Sequence, residues 1–294
     1  MVTALVTAPD RLAAAYAQCT RLAREHYENF PVASRLLPAP MRPHIAAIYA
    51  FARRADDFAD EPGPDLAERI RLLGDWHRRL HGNDPNGTSS DDLIFAALQN
   101  TIASCRLPVP LFDDLLSAFA QDVNTRRYAT WADVMDYCRR SANPVGRLVL
   151  RVAGYDDPRL DAASDAVCTA LQLTNFWQDF ERDWRHGRLY LPLEERDRHG
   201  AREADLDAGR MTAQWKGALR AAADRTRELF ATGRPVCNGV RGRLRWELRL
   251  TWLGGSRILD RIEAADFDSL NHRPALGAAD AAPLVWQAIN WGHG

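Results

Sequence analysis

Asp56 and Asp60 stand four residues apart in Arg53-Arg54-Ala55-Asp56-Asp57-Phe58-Ala59-Asp60-Glu61, and Asp179 and Asp183 repeat that spacing in Asn175-Phe176-Trp177-Gln178-Asp179-Phe180-Glu181-Arg182-Asp183. On a helix a four-residue step places both carboxylates of a pair on one face, about 6 Å apart along the axis. Like charges so placed repel unless a cation neutralises them. Carboxylate oxygens suit Mg²⁺, which keeps some of its waters and bridges protein to phosphate oxygens. Two such helices facing each other would suit a diphosphate.

Acidic residues four apart are common on solvated helix faces, so either pair alone is a weak signal. Context strengthens it: Asp56 follows Ile45-Ala46-Ala47-Ile48-Tyr49-Ala50-Phe51-Ala52, and Asp179 follows Ala170-Leu171-Gln172-Leu173-Thr174-Asn175-Phe176. Carboxylates ending such apolar helices are expected to be partly buried. No phosphate-cradling glycine loop is present, so metal and cationic side chains must neutralise an anion. Arg53 and Arg188 are the candidates, and the competing reading of each is an ordinary ion pair with neighbouring acids. Phe30, Tyr49, Phe51, Phe176 and Trp177 lie near the motifs, either as core or as aromatic faces for a cation.

The elements that must position these groups read as helices throughout, since strand-like alternation rich in Val, Ile or Thr is nearly absent. Helices are expected over Asp10–Tyr27, Pro40–Asp60, Asp65–His81, Asp91–Cys105, Pro110–Arg126, Thr130–Gly154, Asp157–Trp184, Met211–Thr232, Arg241–Phe267 and Pro283–Trp291. Glu61-Pro62-Gly63 ends the second, which places the first aspartate pair in its last turns. Pro144 predicts a break near Asn143-Pro144, and the second pair falls near the end of the long helix over 157–184.

Composition narrows the partners. The 294 residues carry 38 basic and 39 acidic side chains, a formal net charge of −1, with no segregated basic stretch, so nucleic acid is not expected. Five scattered cysteines without Cys-x-x-Cys spacing argue against a disulfide framework or a zinc site and read as buried apolar side chains in a reducing compartment. Met1–Ala8 lacks a basic leader region and no apolar run is long enough to span a bilayer, so a cytoplasmic location is expected. Trp286 and Trp291 suggest peripheral contact with the inner face of the membrane, or packing on the helical bundle.

The segments Ala46–Glu61, Tyr137–Gly146 and Leu171–Pro192 resemble, in order and spacing, the three signature regions of the squalene/phytoene synthase family of head-to-head prenyl synthases, and the likeness runs from about His26 to Phe267. The resemblance implies an all-α, single-domain isoprenoid-synthase bundle with a central active-site cavity, acting on a prenyl diphosphate. It implies Mg²⁺ on Asp56, Asp60, Asp179 and Asp183, and diphosphate against Arg53 and Arg188. Gln172, Asn175 and Tyr190 would line the site, with Phe30, Tyr49 and Phe176 against the substrate. His26 would be a base, a phosphate contact or a core histidine. Asn143 or Asn175 would position a water, or satisfy broken helix backbone.

Within the family, Glu28–Ser34, Ser141–Gly146 and Asn175–Asp179 are most similar to the bacterial hydroxysqualene synthase branch of hopanoid biosynthesis, which converts presqualene diphosphate and water to hydroxysqualene and diphosphate. Condensing relatives generally carry serines after the histidine equivalent to His26, an arginine before the third aspartate, and Ala-Gly in the helix break. Here the positions hold Tyr27 and Asn29, Gln178, and Ala142-Asn143-Pro144. Fewer hydroxyl donors and one fewer fixed charge fit a single diphosphate per turnover. The alternatives are a presqualene diphosphate or phytoene synthase condensing two prenyl diphosphates, and a non-catalytic relative acting as an assembly factor. Coupling to a presqualene diphosphate synthase is the expected partnership.

Overall fold

The computed structural model describes residues 8–25, 36–60, 63–82 and 87–292. Among them every regular element is a helix, as the sequence pattern predicts, and an isolated parallel bridge joins Arg127 to Leu189. Contacts divide the chain into two compact units, Met1–Asn124 with Leu148–Asp156, and Thr125–Arg147 with Asp157–Gly294.

The first unit holds α1 (Ala8–Glu25), α2 (Arg42–Asp60), α3 (Leu66–His81), α4 (Ser90–Cys105) and α5 (Pro110–Asn124). Its helix starts are set by short polar side chains: Asp65 accepts from the Glu68 N–H, and Ser89 with Asp92 forms a reciprocal capping box. The core is aromatic. Phe51 on α2 is fully buried, with its ring 5.7 Å from Trp76, 5.9 Å from Phe95 and 5.6 Å from Phe112. Phe51 is therefore packing, and it fixes α2 against α3, α4 and α5.

In the second unit α6 (Trp131–Ser141) ends at Ala142, and α7 (Asn143–Val152) carries the chain across to the other unit. The break falls where Pro144 predicts it, and the proline occupies the first turn of α7, where a missing N–H costs no hydrogen bond. The helix expected over 157–184 is divided in two. α8 (Pro158–Gln178) stops at Asp179, whose φ of −94° and ψ of 19° leave the helical range, and α9 (Phe180–Arg185) restarts beyond it. Neither proline nor glycine marks this break. Tertiary contacts hold its two sides, an arginine on Asp179 and Trp215 against Phe180, with ring centroids 5.6 Å apart.

The helices α10 (Leu193–His199), α11 (Glu203–Asp207), α12 (Ala213–Gly233), α13 (Val236–Gly239), α14 (Gly242–Ala264) and α15 (Ala278–Ile289) complete the unit. The short α10, α11 and α13 were not legible in the periodicity, being too brief to show a repeat. α8 is the hub, packed by α6, α12, α13 and α14. Glycines permit that crowding: a Cβ on Gly233 would lie 2.7 Å from the Val167 nitrogen and 2.8 Å from the Ala163 carbonyl oxygen of α8. Cys19, Cys138 and Cys237 are buried, as expected of cysteines used as small apolar side chains, and burial pushes the Cys19 and Cys237 thiols up to about 12, whereas Cys105 and Cys168 are only half-buried.

Because the Gly233 contact includes backbone atoms of α8 as well as the Val167 side chain, Gly233→Ala must shift α12 away from α8. The expected cost is about 1–3 kcal/mol, read as a lowered denaturant midpoint with an unchanged slope.

Candidate active site

In the first unit the site residues follow from the burial of α2. Its core face is Ile48, Phe51, Ala55 and Ala59, so Tyr49, Arg53, Asp56 and Asp60, at steps of four, three and four, form the adjoining stripe. Tyr49, Arg53 and Asp56 are half-buried and Asp60 is exposed. Arg53 lies between two acids, Nη1 donating to Asp56 at 3.4 Å and Nη2 pairing with Asp57 at 2.8 Å. Arg54 turns away to Asp91 at 3.2 Å and stacks on Phe58, 4.7 Å from the ring centre. The end of the helix is tied by Arg69, which donates to the Ala59 carbonyl at 2.6 Å and the Pro64 carbonyl at 3.1 Å.

The last turn of α2 contains no basic residue, although its carboxylates sit at the negative end of the helix macrodipole. Each such placement costs about 0.3–1 kcal/mol at a surface, a cost that a bound cation reverses. The donors are hard oxygens, which fit Mg²⁺ rather than a thiolate- or imidazole-seeking metal.

The second unit repeats the device. Thr169, Gln172, Phe176 and Asp179 share a face of α8 with Asn175 beside them, and Asp179 caps its C-terminal end with no side-chain bond to the next helix. Asp183 follows on α9, its N–H returning to the Asp179 carbonyl at 2.8 Å across the break. The second pair therefore bridges a helix junction instead of riding one continuous helix. Gly187, at φ +73°, then reverses the chain, so that the Arg188 N–H reaches the Asp183 carbonyl at 2.8 Å.

Beyond that turn residues 187–194 run beside 126–130. The Leu189 N–H donates to the Arg126 carbonyl at 3.0 Å, the Leu193 N–H to the Tyr128 carbonyl at 2.9 Å, and Arg127 Nη1 to the Gly187 carbonyl at 2.6 Å. This pairing delivers Tyr190 face to face onto Phe176, with ring centres 3.7 Å apart and planes 2° from parallel. Tyr128 and Tyr137 close the cluster, at 5.8 Å and 6.0 Å from the Tyr190 ring. Neither was singled out as a site residue from the sequence. The Arg127-Tyr128 dipeptide carries no motif, and its role comes from pairing with a segment 60 residues away.

Other assignments separate cleanly. Trp177 points from the opposite side of α8, fully buried, with Nε1 donating to Thr226 Oγ1 of α12 at 3.0 Å, so it is core. Asn143 is buried and its Oδ1 accepts from Thr169 Oγ1 at 2.9 Å, which ties the α6–α7 break to the face that carries Gln172 and Phe176. His26, Asn29 and Phe30, with Tyr27, lie outside the described residues. Of the tail tryptophans, Trp291 is buried against Trp252, with ring centres 5.3 Å apart, whereas Trp286 is exposed beside Val285 and Ile289. Among the described residues no helix is long and apolar enough to cross a membrane.

Arg273 is the site residue that the sequence pattern missed. Its Nε donates to Asp179 Oδ1 in a close contact, and the adjacent Pro274 carbonyl accepts from Gln178 Nε2 at 2.7 Å. Arg261 binds the next carbonyl, that of Ala275. Three successive residues of this loop are thus anchored, two of them on the second motif. Gln178 adds no charge beside Asp179, as the sequence predicts, and a guanidinium reaches Asp179 from a loop 94 residues further on. Arg273 lies beyond the segments whose spacing carried the resemblance.

Comparison with known proteins agrees with this fold. The sequence model of the family described as squalene/phytoene synthase matches residues 23–280, a span that includes Arg273. The chain is 40% identical over 208 residues to the hydroxysqualene synthase of Zymomonas mobilis subsp. mobilis, covering 69% of this chain and 67% of that one. It is 31% identical over 269 residues to phytoene synthase 3, chloroplastic, of Zea mays, covering 89% of this chain but only 62% of the maize protein's length. The crystal structure of squalene synthase HpnC from Alicyclobacillus acidocaldarius superposes with a TM-score of 0.80 at 39% identity, over 87% of this chain and 95% of that one. With the family model matching residues 23–280 and the fold shared with a structure 39% identical, the chain belongs to the squalene/phytoene synthase family.

Proposed function

We propose that the protein is a hydroxysqualene synthase of hopanoid biosynthesis, a carbon–oxygen lyase that ionises presqualene diphosphate and returns hydroxysqualene and diphosphate. The observation that carries the reading is the end of α8. Gln178 spends its amide on the Pro274 carbonyl, so the helix itself adds no cation beside Asp179, and the one on Asp179 comes from the loop, through Arg273. The identity of 40% to the Zymomonas enzyme supports it. The 31% identity to the maize phytoene synthase, spread over 89% of this chain, favours a second reading, condensation of two prenyl diphosphates.

Asp56, Asp60, Asp179 and Asp183 would hold Mg²⁺, which when bound supplies positive charge to the departing diphosphate. Arg53, Arg188 and Arg273 add fixed hydrogen-bond donors where negative charge develops as the carbon–oxygen bond breaks. Ionisation leaves a cyclopropylcarbinyl cation. The stacked Phe176 and Tyr190 present π-faces that stabilise such a cation without donating an electron pair to quench it. After rearrangement the cation takes the oxygen of a water, and the proton released passes to solvent or to diphosphate. Asn143 is engaged with Thr169, so Asn175, half-buried on α8, is the better placed of the two to orient that water. Persistence of all four aspartates speaks against a non-catalytic assembly factor. Peripheral contact with the membrane through the exposed Val285, Trp286 and Ile289, and coupling to a presqualene diphosphate synthase, complete the reading.

Purified protein with Mg²⁺, incubated separately with presqualene diphosphate and farnesyl diphosphate in heavy-oxygen water, should yield labelled hydroxysqualene from the former alone. A condensed diphosphate formed from farnesyl diphosphate would move the protein to the second reading. Arg273→Gln should lower kcat by about 10²–10³, the cost of removing one preorganised donor to developing charge, while the unfolding midpoint stays within the scatter of surface substitutions. Unchanged kcat would remove Arg273 from the diphosphate site.

A further inference from the structure

His77 and His81 are one turn apart on α3, and both direct Nε2 at the same atom of α5. His77 Nε2 is 3.1 Å from Asp113 Oδ1 and His81 Nε2 is 2.7 Å from it. The imidazole centres are 4.8 Å apart, and the three ligand atoms all lie within 4.8 Å of one another. Among the described residues this is the cluster of three or more His, Cys, Asp or Glu side chains that converges closely enough for one ion.

We propose that His77, His81 and Asp113 form a site for a divalent transition metal of the zinc type, separate in chemistry from the aspartate pairs. The i,i+4 spacing on one helix face supplies two imidazoles in parallel, and the carboxylate arrives from a second helix, which makes the site a clamp between α3 and α5. A tetrahedral ion bound at about 2.0–2.1 Å from each ligand sets ligand atoms about 3.3 Å apart. The two nitrogens stand 2.7 and 3.1 Å from the carboxylate oxygen, and the widest spacing among the three ligand atoms, within 4.8 Å, closes to that value by rotation of surface side chains. Two nitrogens and one carboxylate select zinc, cobalt, nickel or copper over Mg²⁺, which prefers oxygen throughout. The side chains are 51%, 47% and 34% exposed, so an ion enters without opening the core and keeps a water in the fourth position. His81 Nε2 is hydrogen-bonded to Asp113 Oδ1 and His77 Nε2 is within ion-pair range of the same atom, so both imidazoles already face the carboxylate that would complete the site.

The clamp has a structural consequence. α3 and α5 both pack on α2, the helix that carries Asp56 and Asp60, so an ion at this surface stiffens the support of the first acidic motif without touching it. The inference is independent of the reaction the enzyme performs.

Cobalt(II) and zinc titrations of the whole chain provide the test, with His77→Ala, His81→Ala and Asp113→Asn as variants. The wild type should take up one equivalent of Co²⁺ with the intense visible bands of a four- or five-coordinate ion, displaced by Zn²⁺. Each variant should lose those bands and bind Zn²⁺ at least about tenfold more weakly, the minimum loss expected when even a supporting ligand contact is removed. Zinc should raise the melting temperature of the wild type and leave that of the variants unchanged. Circular dichroism in chelator establishes that each variant is folded, and Mg²⁺-dependent turnover should be unaltered. If the His77→Ala/His81→Ala double variant binds Co²⁺ with the same spectrum and affinity as the wild type, the proposal is overturned.

Discussion

The structure is organised around carboxylates placed at the wrong end of a helix. α2 finishes with Asp56, Asp57 and Asp60 and has no basic residue in its last turn, and α8 finishes on Asp179. Each adds negative charge where the helix already presents unsatisfied carbonyl oxygens. A sequence selected for stability alone would place lysine or arginine there. The molecule tolerates the arrangement because arginines from other turns and loops stand in: Arg53 on Asp56 and Asp57, Arg69 on the Ala59 carbonyl of α2, and Arg273 on Asp179. None of these pairs removes the negative end of the helix macrodipole, which remains beside the carboxylates.

Holding such ends in place requires rigid helices behind them, and the two units achieve this differently. α2 is locked by bulk, with Phe51 interleaved among Trp76, Phe95 and Phe112. α8 is locked by closeness. Gly146, Gly233 and Gly255 abut it where a single added carbon would meet Ser164, Val167 and Leu171 at 2.3–2.5 Å. Close-packed interiors transmit displacement rather than absorb it. A shift of α8 therefore carries Gln172, Phe176 and Asp179 with it, because all three project from its length.

Much of this was legible in the residues. The apolar run from Ile45 to Ala52 reports a buried helix face, and once that face is known the stripe Tyr49, Arg53, Asp56, Asp60 follows from 3.6 residues per turn. Pro144 announces its own break. What the pattern could not show are features made by partners distant in sequence. Asp179 ends a helix with neither proline nor glycine to mark it, the aromatic wall at Tyr190 needs residues 126–130 paired with 187–194, and Arg273 belongs to no local motif. The short α10, α11 and α13 escape for a simpler reason, since a helix of four to seven residues has no period to read.

Arg273 also changes how the glutamine at 178 is to be understood. A helix-borne arginine there would be a fixed charge beside Asp179. In its place Gln178 holds the loop by the Pro274 carbonyl, and the loop brings a guanidinium that is half exposed. A half-exposed cation is screened by solvent and salt, and it interacts less strongly than one embedded in a helix end. Its geometry depends on a neutral hydrogen bond rather than on helix backbone. A cation held in this way moves with the loop that carries it, so the charge beside Asp179 is set by the Gln178–Pro274 contact.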